Sequence, residues 1–302
     1  MKKCAGLLFF FILLLCSMPV SGEQLIDSSG HQLNFPTPFQ KIISLYPAHT
    51  ENIYSLGAGD QLIGIGRSDD YPETILSTPR FSYREDPEKF IAAKPDLVLI
   101  RPMIERSHPR FVEKLRQAGI PVFSLQPTDI DHMFDYWRIL GKLVGKPQAA
   151  EDMIKIFTSR LAVISKKVQS IPLTARPKVY FESIHRRMKT FAPDSIAIYA
   201  LTQAGGKNIA TDSIQVRQTN IADYGKERIL AHGEDIDIFL AQQGRMNSIN
   251  LATIVEEPGF QAIRAVRTGK VYLVDEHLVS RPTMRLAEGI EFIHSLLYQD
   301  NN

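Results

Sequence analysis

Arginine, tyrosine and histidine recur in short segments placed just beyond apolar runs of strand length. They are Tyr46-Pro-Ala-His49, Arg67 to Tyr71, Phe81-Ser-Tyr83-Arg84, Arg101-Pro-Met-Ile104, Ser183-Ile-His185-Arg186-Arg187-Met188, Gln242 to Asn247 with Arg245, and His277 to Arg285 with Arg281. A guanidinium fork holds a carboxylate by two parallel hydrogen bonds, an aromatic face packs on a flat ligand, and a phenol or imidazole can complete the coordination of a bound iron. Such a set suits a large, flat or anionic ligand that carries a metal, with Tyr83 or His49 as the candidate axial ligand. Each residue also has a plainer role. Tyr46 and Tyr83 suit half-buried loop anchors, His49 a cap on a helix starting near Thr50, and Arg186-Arg187 a solvated turn. The case for a binding site is the convergence of the segments.

The same residues offer little to catalysis. The chain has no Gly-x-Ser-x-Gly elbow, no His-Glu-x-x-His, no Walker A sequence and no clustered carboxylate pair, and Gly64-Ile-Gly66 lacks the third glycine of a dinucleotide loop. A two-lobed chelatase-like enzyme shares the layout and stays as an alternative. A zinc or manganese receptor is another, because His49, His185 and His277 fall on the arginine-rich segments.

Positioning these segments requires parallel strands that end together, since ligands of open parallel sheets bind beyond the carboxyl ends of the strands. Strands are expected at Ile42–Leu45, Leu62–Ile65, Leu97–Ile100 and Val122–Leu125, and again at Val179–Phe181, Ile236–Leu240 and Val271–Val274. Helical spacing is expected over Pro109–Ala118, Ser195–Ala204 and Pro282–Leu297. Between the two groups run Asp131–Leu143 and Gln148–Val168. In the second, Ile154, Phe157, Leu161, Ile164 and Val168 mark one apolar face, bounded by Pro147 and Pro172. The expected fold is α/β, with two Rossmann-like lobes of parallel sheet: residues 23–145, a connecting helix over 146–171, and residues 172–302. Periodicity leaves open whether that helix packs against one lobe or both.

Met1-Lys-Lys3 and the apolar Leu7–Leu15 read as an export signal cut after Gly22, with Val20-Ser-Gly22 supplying small residues. Lipidation at Cys16 is the alternative. Cys4 and Cys16 both lie inside the signal, so the mature chain has no thiol for a disulfide or metal site. Lys2 and Lys3 leave with it and the formal charge falls from +2 to zero, which gives no overall attraction for nucleic acid.

From Lys41 to Asp96 the order of features resembles the N-terminal lobe of the periplasmic-binding-protein family that captures iron-siderophores, haem and cobalamin for ABC importers. These features are Ile42-Ile-Ser-Leu45 running into Tyr46–Glu51, then Gly57-Ala-Gly-Asp60, Leu62-Ile-Gly-Ile-Gly66, Asp86-Pro-Glu88 and Lys94-Pro-Asp96. The likeness continues through Asp27-Ser-Ser-Gly30, Ala204-Gly-Gly-Lys-Asn208, Thr268-Gly-Lys-Val-Tyr-Leu-Val274 and Ser280-Arg-Pro282. It implies a periplasmic, monomeric carrier with no cofactor of its own. The cargo would be a metal chelate (a ferric siderophore, haem or corrinoid), delivered to an inner-membrane ABC permease and its ATPase. By the same resemblance, Glu88 and Glu227, one per lobe, meet arginines of the permease. Tyr83-Arg84 is similar to the pair that haem carriers use. The cleft tryptophans of cobalamin carriers have no counterpart, because Trp137 lies in the stretch between the lobes.

Overall fold

The computed structural model describes residues 23–299 except Thr128 and Gln218. The export signal, the cut after Gly22 and Cys16 therefore lie outside the described residues.

Strands β1 (Glu23–Ile26) and β2 (Gln32–Phe35) form an antiparallel hairpin. The first lobe is a parallel five-stranded sheet made of β3 (Ile42–Ser44), β4 (Leu62–Gly66), β5 (Arg80–Phe81), β6 (Leu97–Ile100) and β7 (Val122–Ser124), in the order β5-β4-β3-β6-β7. The central strands are near-continuous apolar runs because helices cover both faces. Ile42, Ile43, Val98 and Leu99 are fully buried. The helices of this lobe are α1 (Pro47–Ser55), α2 (Glu88–Ala93), α3 (Pro102–Ser107), α4 (Pro109–Gln117) and α5 (Ile130–Leu143). Helices α1, α3 and α4 each carry proline in the first turn, where its fixed φ suits the helix and its missing N–H costs nothing.

Helix α6 (Pro147–Gln169) follows. Its buried face is Ala150, Met153, Phe157, Ile164 and Val168, with Ile154 and Leu161 half-buried. It packs on α5 of the first lobe and on α7 and α12 of the second, so it serves both. Phe157 is edge-on to Trp137 of α5, with ring centroids 5.4 Å apart, and Arg160 pairs with Glu291 of α12 at 2.8 Å.

The second lobe holds β8 (Lys178–Ile184), β9 (Lys189–Phe191), β10 (Lys207–Asn208), β11 (Ile214–Gln215), β12 (Ile221–Asp223), β13 (Ile238–Gln243) and β14 (Val271–Asp275). Its sheet runs β11-β12-β9-β8-β13-β14, with β10 beside β8. Strands β8, β13 and β14 are parallel, as the run of apolar segments predicts; β9, β12 and β11 add an antiparallel ribbon that the sequence reading missed. These ribbon strands are two or three residues long, too short to show an alternating pattern. The helices are α7 (Ile196–Gln203), α8 (Lys226–Ala231), α9 (Leu251–Val255), α10 (Arg264–Arg267), α11 (Glu276–Val279) and α12 (Leu286–Leu297). The C-terminal helix starts at Leu286 and not near Pro282, because Ser280–Arg285 forms a separate segment that docks on the other lobe.

Candidate functional site

The carboxyl ends of the two sheets face one another. His277, which follows β14, lies 3.2 Å from Asp70, which follows β4. The segments that follow β14 and β4 therefore meet across the lobes.

On the first lobe, Tyr46 follows β3 and is almost wholly buried. The guanidinium of Arg101, which follows β6, stands 5.1 Å above its ring. Burial pushes the Tyr46 phenol up, although Arg101 and Arg281 oppose it, so the ring presents a neutral hydroxyl. Tyr83 follows β5 and is half-buried, edge-on to His108 at 4.7 Å, with exposed Arg84 5.6 Å from its centre. On the second lobe, exposed Arg186 and Arg187 occupy the turn after β8, and exposed Arg245 the turn after β13.

Three expected ligand contacts have other duties. His49 is fully buried inside α1: its Nε2–H donates to the Ile100 carbonyl at 3.0 Å and its Nδ1 accepts from the Tyr136 hydroxyl at 2.7 Å. Burial, with Arg101 adding to it against the Ile100 bond, brings its pKa down to about 4. Both nitrogens are spent, so His49 has no lone pair for a metal; it ties α1 to β6 and α5. His185 is buried between Glu182, 3.0 Å from Nδ1, and Glu257, 3.5 Å from Nε2. Arg281 leaves its own lobe altogether. Its Nη1 donates to Glu51 of α1 and, at 3.0 Å, to Asp70.

Around Arg281, Pro282 and Arg285 of the expected His277–Arg285 segment meet first-lobe residues, of which Glu51, Asn52 and Trp137 were not expected in the site. The Pro282 carbonyl accepts from Asn52 Nδ2 at 2.9 Å and from Trp137 Nε1 at 3.0 Å, both on the first lobe. Arg285 sits 4.4 Å above the Tyr71 ring and 3.8 Å from Glu51. Burial raises Glu51, against the pull of Arg281 and Arg285. Asp69 beside it is pushed up to about 6 by burial, against its bonds to Thr50 and Gly66. Partial burial opposes it, yet the Arg281 bond and charge hold Asp70 below the ordinary carboxylate range. Asp69 and Asp70, three and four residues beyond β4, sit at a strand end where a partner is expected; Glu51 and Trp137, both within helices, gave no hint of a shared partner.

Glu88 and Glu227 each stand in the first turn of a short helix, α2 and α8, and both are exposed. Neither carboxylate has an ion-pair or hydrogen-bond partner among the described residues. No helix among the described residues is long and apolar enough to cross a membrane.

Residues 42–278 match the family described as periplasmic binding protein. An uncharacterized ABC transporter substrate-binding lipoprotein of Bacillus subtilis, YvrC, is 27% identical over 277 residues, covering 91% of this chain and 85% of that protein. The vitamin B12-binding protein of Vibrio cholerae is 26% identical over 266 residues, covering 87% and 90%. A crystal structure of a possible iron-binding, periplasmic solute-binding protein from Staphylococcus epidermidis superposes with a TM-score of 0.75 at 26% identity, covering 87% of this chain and all of that one. This chain belongs to the periplasmic binding protein family, with the two-lobed fold of the substrate-binding proteins that serve ABC importers.

Proposed function

We propose that the protein is the substrate-binding component of an ABC importer and captures an iron complex, a ferric siderophore or haem, between its lobes. It then delivers the complex to an inner-membrane permease with its ATPase. The observation that carries this reading is a charge imbalance at the cleft. Arg84 and Arg101 on one lobe and Arg186, Arg187 and Arg245 on the other have no carboxylate partner among the described residues. Several arginines away from these segments are matched, as in Arg116–Glu105, Arg160–Glu291 and Arg267–Glu234, whereas Arg106, Arg110 and Arg217 are not among the described residues, so the weight lies on the five occurring together at strand ends. Five unpaired guanidiniums at strand ends suit a ligand with several negative groups, held by charge-assisted hydrogen bonds. Tyr83 adds an aromatic face and is the candidate axial ligand for a haem iron, while Tyr46 backs the Arg101 guanidinium. In this reading no reaction is catalysed, the carrier works as a periplasmic monomer after removal of residues 1–22, and Glu88 and Glu227 meet the permease.

The alternative cargo is a corrinoid, favoured by the name of the Vibrio cholerae relative. Trp137 gives that reading no support, being fully buried and bonded to Pro282. Titration of the mature protein with haemin, a panel of ferric siderophores and cyanocobalamin, followed by visible absorbance with native mass spectrometry for stoichiometry, separates the two. A one-to-one haemin or siderophore complex supports the iron reading. Cyanocobalamin binding alone overturns it in favour of the corrinoid, and binding of zinc or manganese alone overturns both.

A further inference from the structure

His185 joins three pieces of the second lobe. Its backbone N–H donates to Asn247 Oδ1 at 2.9 Å, and Asn247 Nδ2 donates to the Gln242 carbonyl at 2.7 Å, which fixes the turn bearing Arg245. Its carbonyl accepts from Met188 N–H at 2.8 Å and so closes the turn bearing Arg186 and Arg187. The Met188 carbonyl in turn accepts from Gly225 N–H at 3.0 Å, and Gly225 is the N-cap of α8, the helix of Glu227. Gly225 has φ +92°, which a side chain would strain, so this junction depends on glycine.

The side chains repeat the connection. His185 Nδ1 is 3.0 Å from Glu182 Oε1, at the buried end of β8, and Nε2 is 3.5 Å from Glu257 Oε2. The other oxygen of Glu257 takes Lys226, the first residue of α8. The Phe260 ring lies edge-on to the imidazole at 6.0 Å and helps to shield it. Two carboxylates and one ammonium surround the ring; burial raises the fully buried Glu182, with Glu257 adding to the rise, and the bond and charge of a positive His185 oppose it, so the imidazolium favours the ionised Glu182 carboxylate.

We infer that His185 is a positioning residue whose positive charge locks the ligand-facing arginine turns to the start of helix α8. The link to cargo and permease rests on the carrier reading above, whereas the joint itself does not. The Glu182 hydrogen bond raises the His185 pKa, against partial burial, and both carboxylates add to the rise. The stabilisation is therefore complete below the ordinary histidine value and is lost as pH rises through the raised one. Ligand drawn in by Arg186 and Arg187 pulls on the same turn that holds Gly225. The network thereby carries cleft occupancy to the helix bearing Glu227.

The test uses the full mature protein without ligand. The His185 ring is followed by NMR from about pH 5 to 9, spanning the range in which a histidine titrates, with amide hydrogen exchange of Met188 and Ile229 measured in parallel. The expected result is a midpoint above that of an ordinary histidine and protection that falls about tenfold or more beyond it. Glu257→Gln and Lys226→Met, which keep the histidine and its Glu182 bond, lower protection at Met188 and Ile229 at neutral pH, and the exposed Arg228→Gln does not. A midpoint at or below the ordinary histidine value, or unchanged protection in both Glu257→Gln and Lys226→Met, overturns the inference. The readout needs no cargo, so a failed haemin, siderophore and cobalamin titration would refute the carrier reading and leave this result standing.

Discussion

Arg281 of the second lobe and Asp70 of the first are joined across the molecule, Nη1 to Oδ1, at 3.0 Å, with Glu51 on the same nitrogen. The pair, with Pro282 bonded to Asn52 and Trp137, makes Ser280–Thr283 a plug seated in the opposite lobe. An arginine in the last cleft loop is thus a fixed point between lobes, and α6, packed on both, is the second constraint. Both favour a largely preformed cleft over wide hinge motion.

Arg281→Met removes one partner of a nearly buried pair and leaves the Glu51 carboxylate with only Arg285, 3.8 Å away, a change that costs up to about 3 to 5 kcal/mol in comparable sites. Urea denaturation should show a loss of that order, with much of it restored in the double variant Arg281→Met, Glu51→Leu. A single variant within about 0.5 kcal/mol of wild type, the range of ordinary surface changes, would show that the plug holds through its backbone bonds alone.

Two buried groups give the stability opposing dependences on pH. His49, brought down to about 4, binds its proton more weakly folded than unfolded, so stability falls as pH drops from about 6.5 toward 4. Asp69, raised to about 6, binds its proton more tightly folded, so its contribution rises as pH falls from about 6 toward 4. Each is worth roughly 3 kcal/mol at most. Denaturation at a series of pH values should show that His49→Gln flattens the acid loss and Asp69→Asn steepens it. Parallel curves for all three proteins would contradict the burial argument.

For cargo, Arg101→Gln and Arg245→Gln, one from each lobe, should each weaken binding of a ferric siderophore or haemin roughly ten- to a hundredfold, the loss of one charge-assisted bond. Raising salt should weaken the wild type as well. A cargo whose affinity changes less than about threefold in both variants, below 1 kcal/mol, is not held by these arginines.

Glu88→Ala with Glu227→Ala should leave melting and cargo affinity unchanged, because both side chains are exposed and unpartnered among the described residues. Capture by membranes containing the cognate permease should be lost. Equal capture by the double variant and the wild type would remove these glutamates from the docking surface.

Most of the first lobe was legible in advance. Its strands are apolar runs whose only solution is a sheet covered on both faces, and their ends fall within a residue or two of the expected ones. Helix α6 was legible from its five-residue apolar stripe, but the stripe gave no indication that two lobes share it. In the second lobe, β13 begins at Ile238 and not Ile236, since Asp237 turns its carboxylate back to the Lys178 N–H and closes the entry to the strand.

Local chemistry in the sequence determined which segments sit at the strand ends. It thereby determined that arginine and aromatic side chains lie at strand ends: alternating strand and helix signals force the loops there whatever the lobes do afterwards. The tertiary structure decided which of those side chains remain free. His49, His185 and Arg281 look like Arg101 and Arg245 in the sequence, yet each is consumed by a partner 51 or more residues away or, for His185, by a carboxylate three residues back that only the fold buries. Burial makes an unmet charge or polar group so costly that it must find such a partner, and burial is a property of the packed chain, not of the residue.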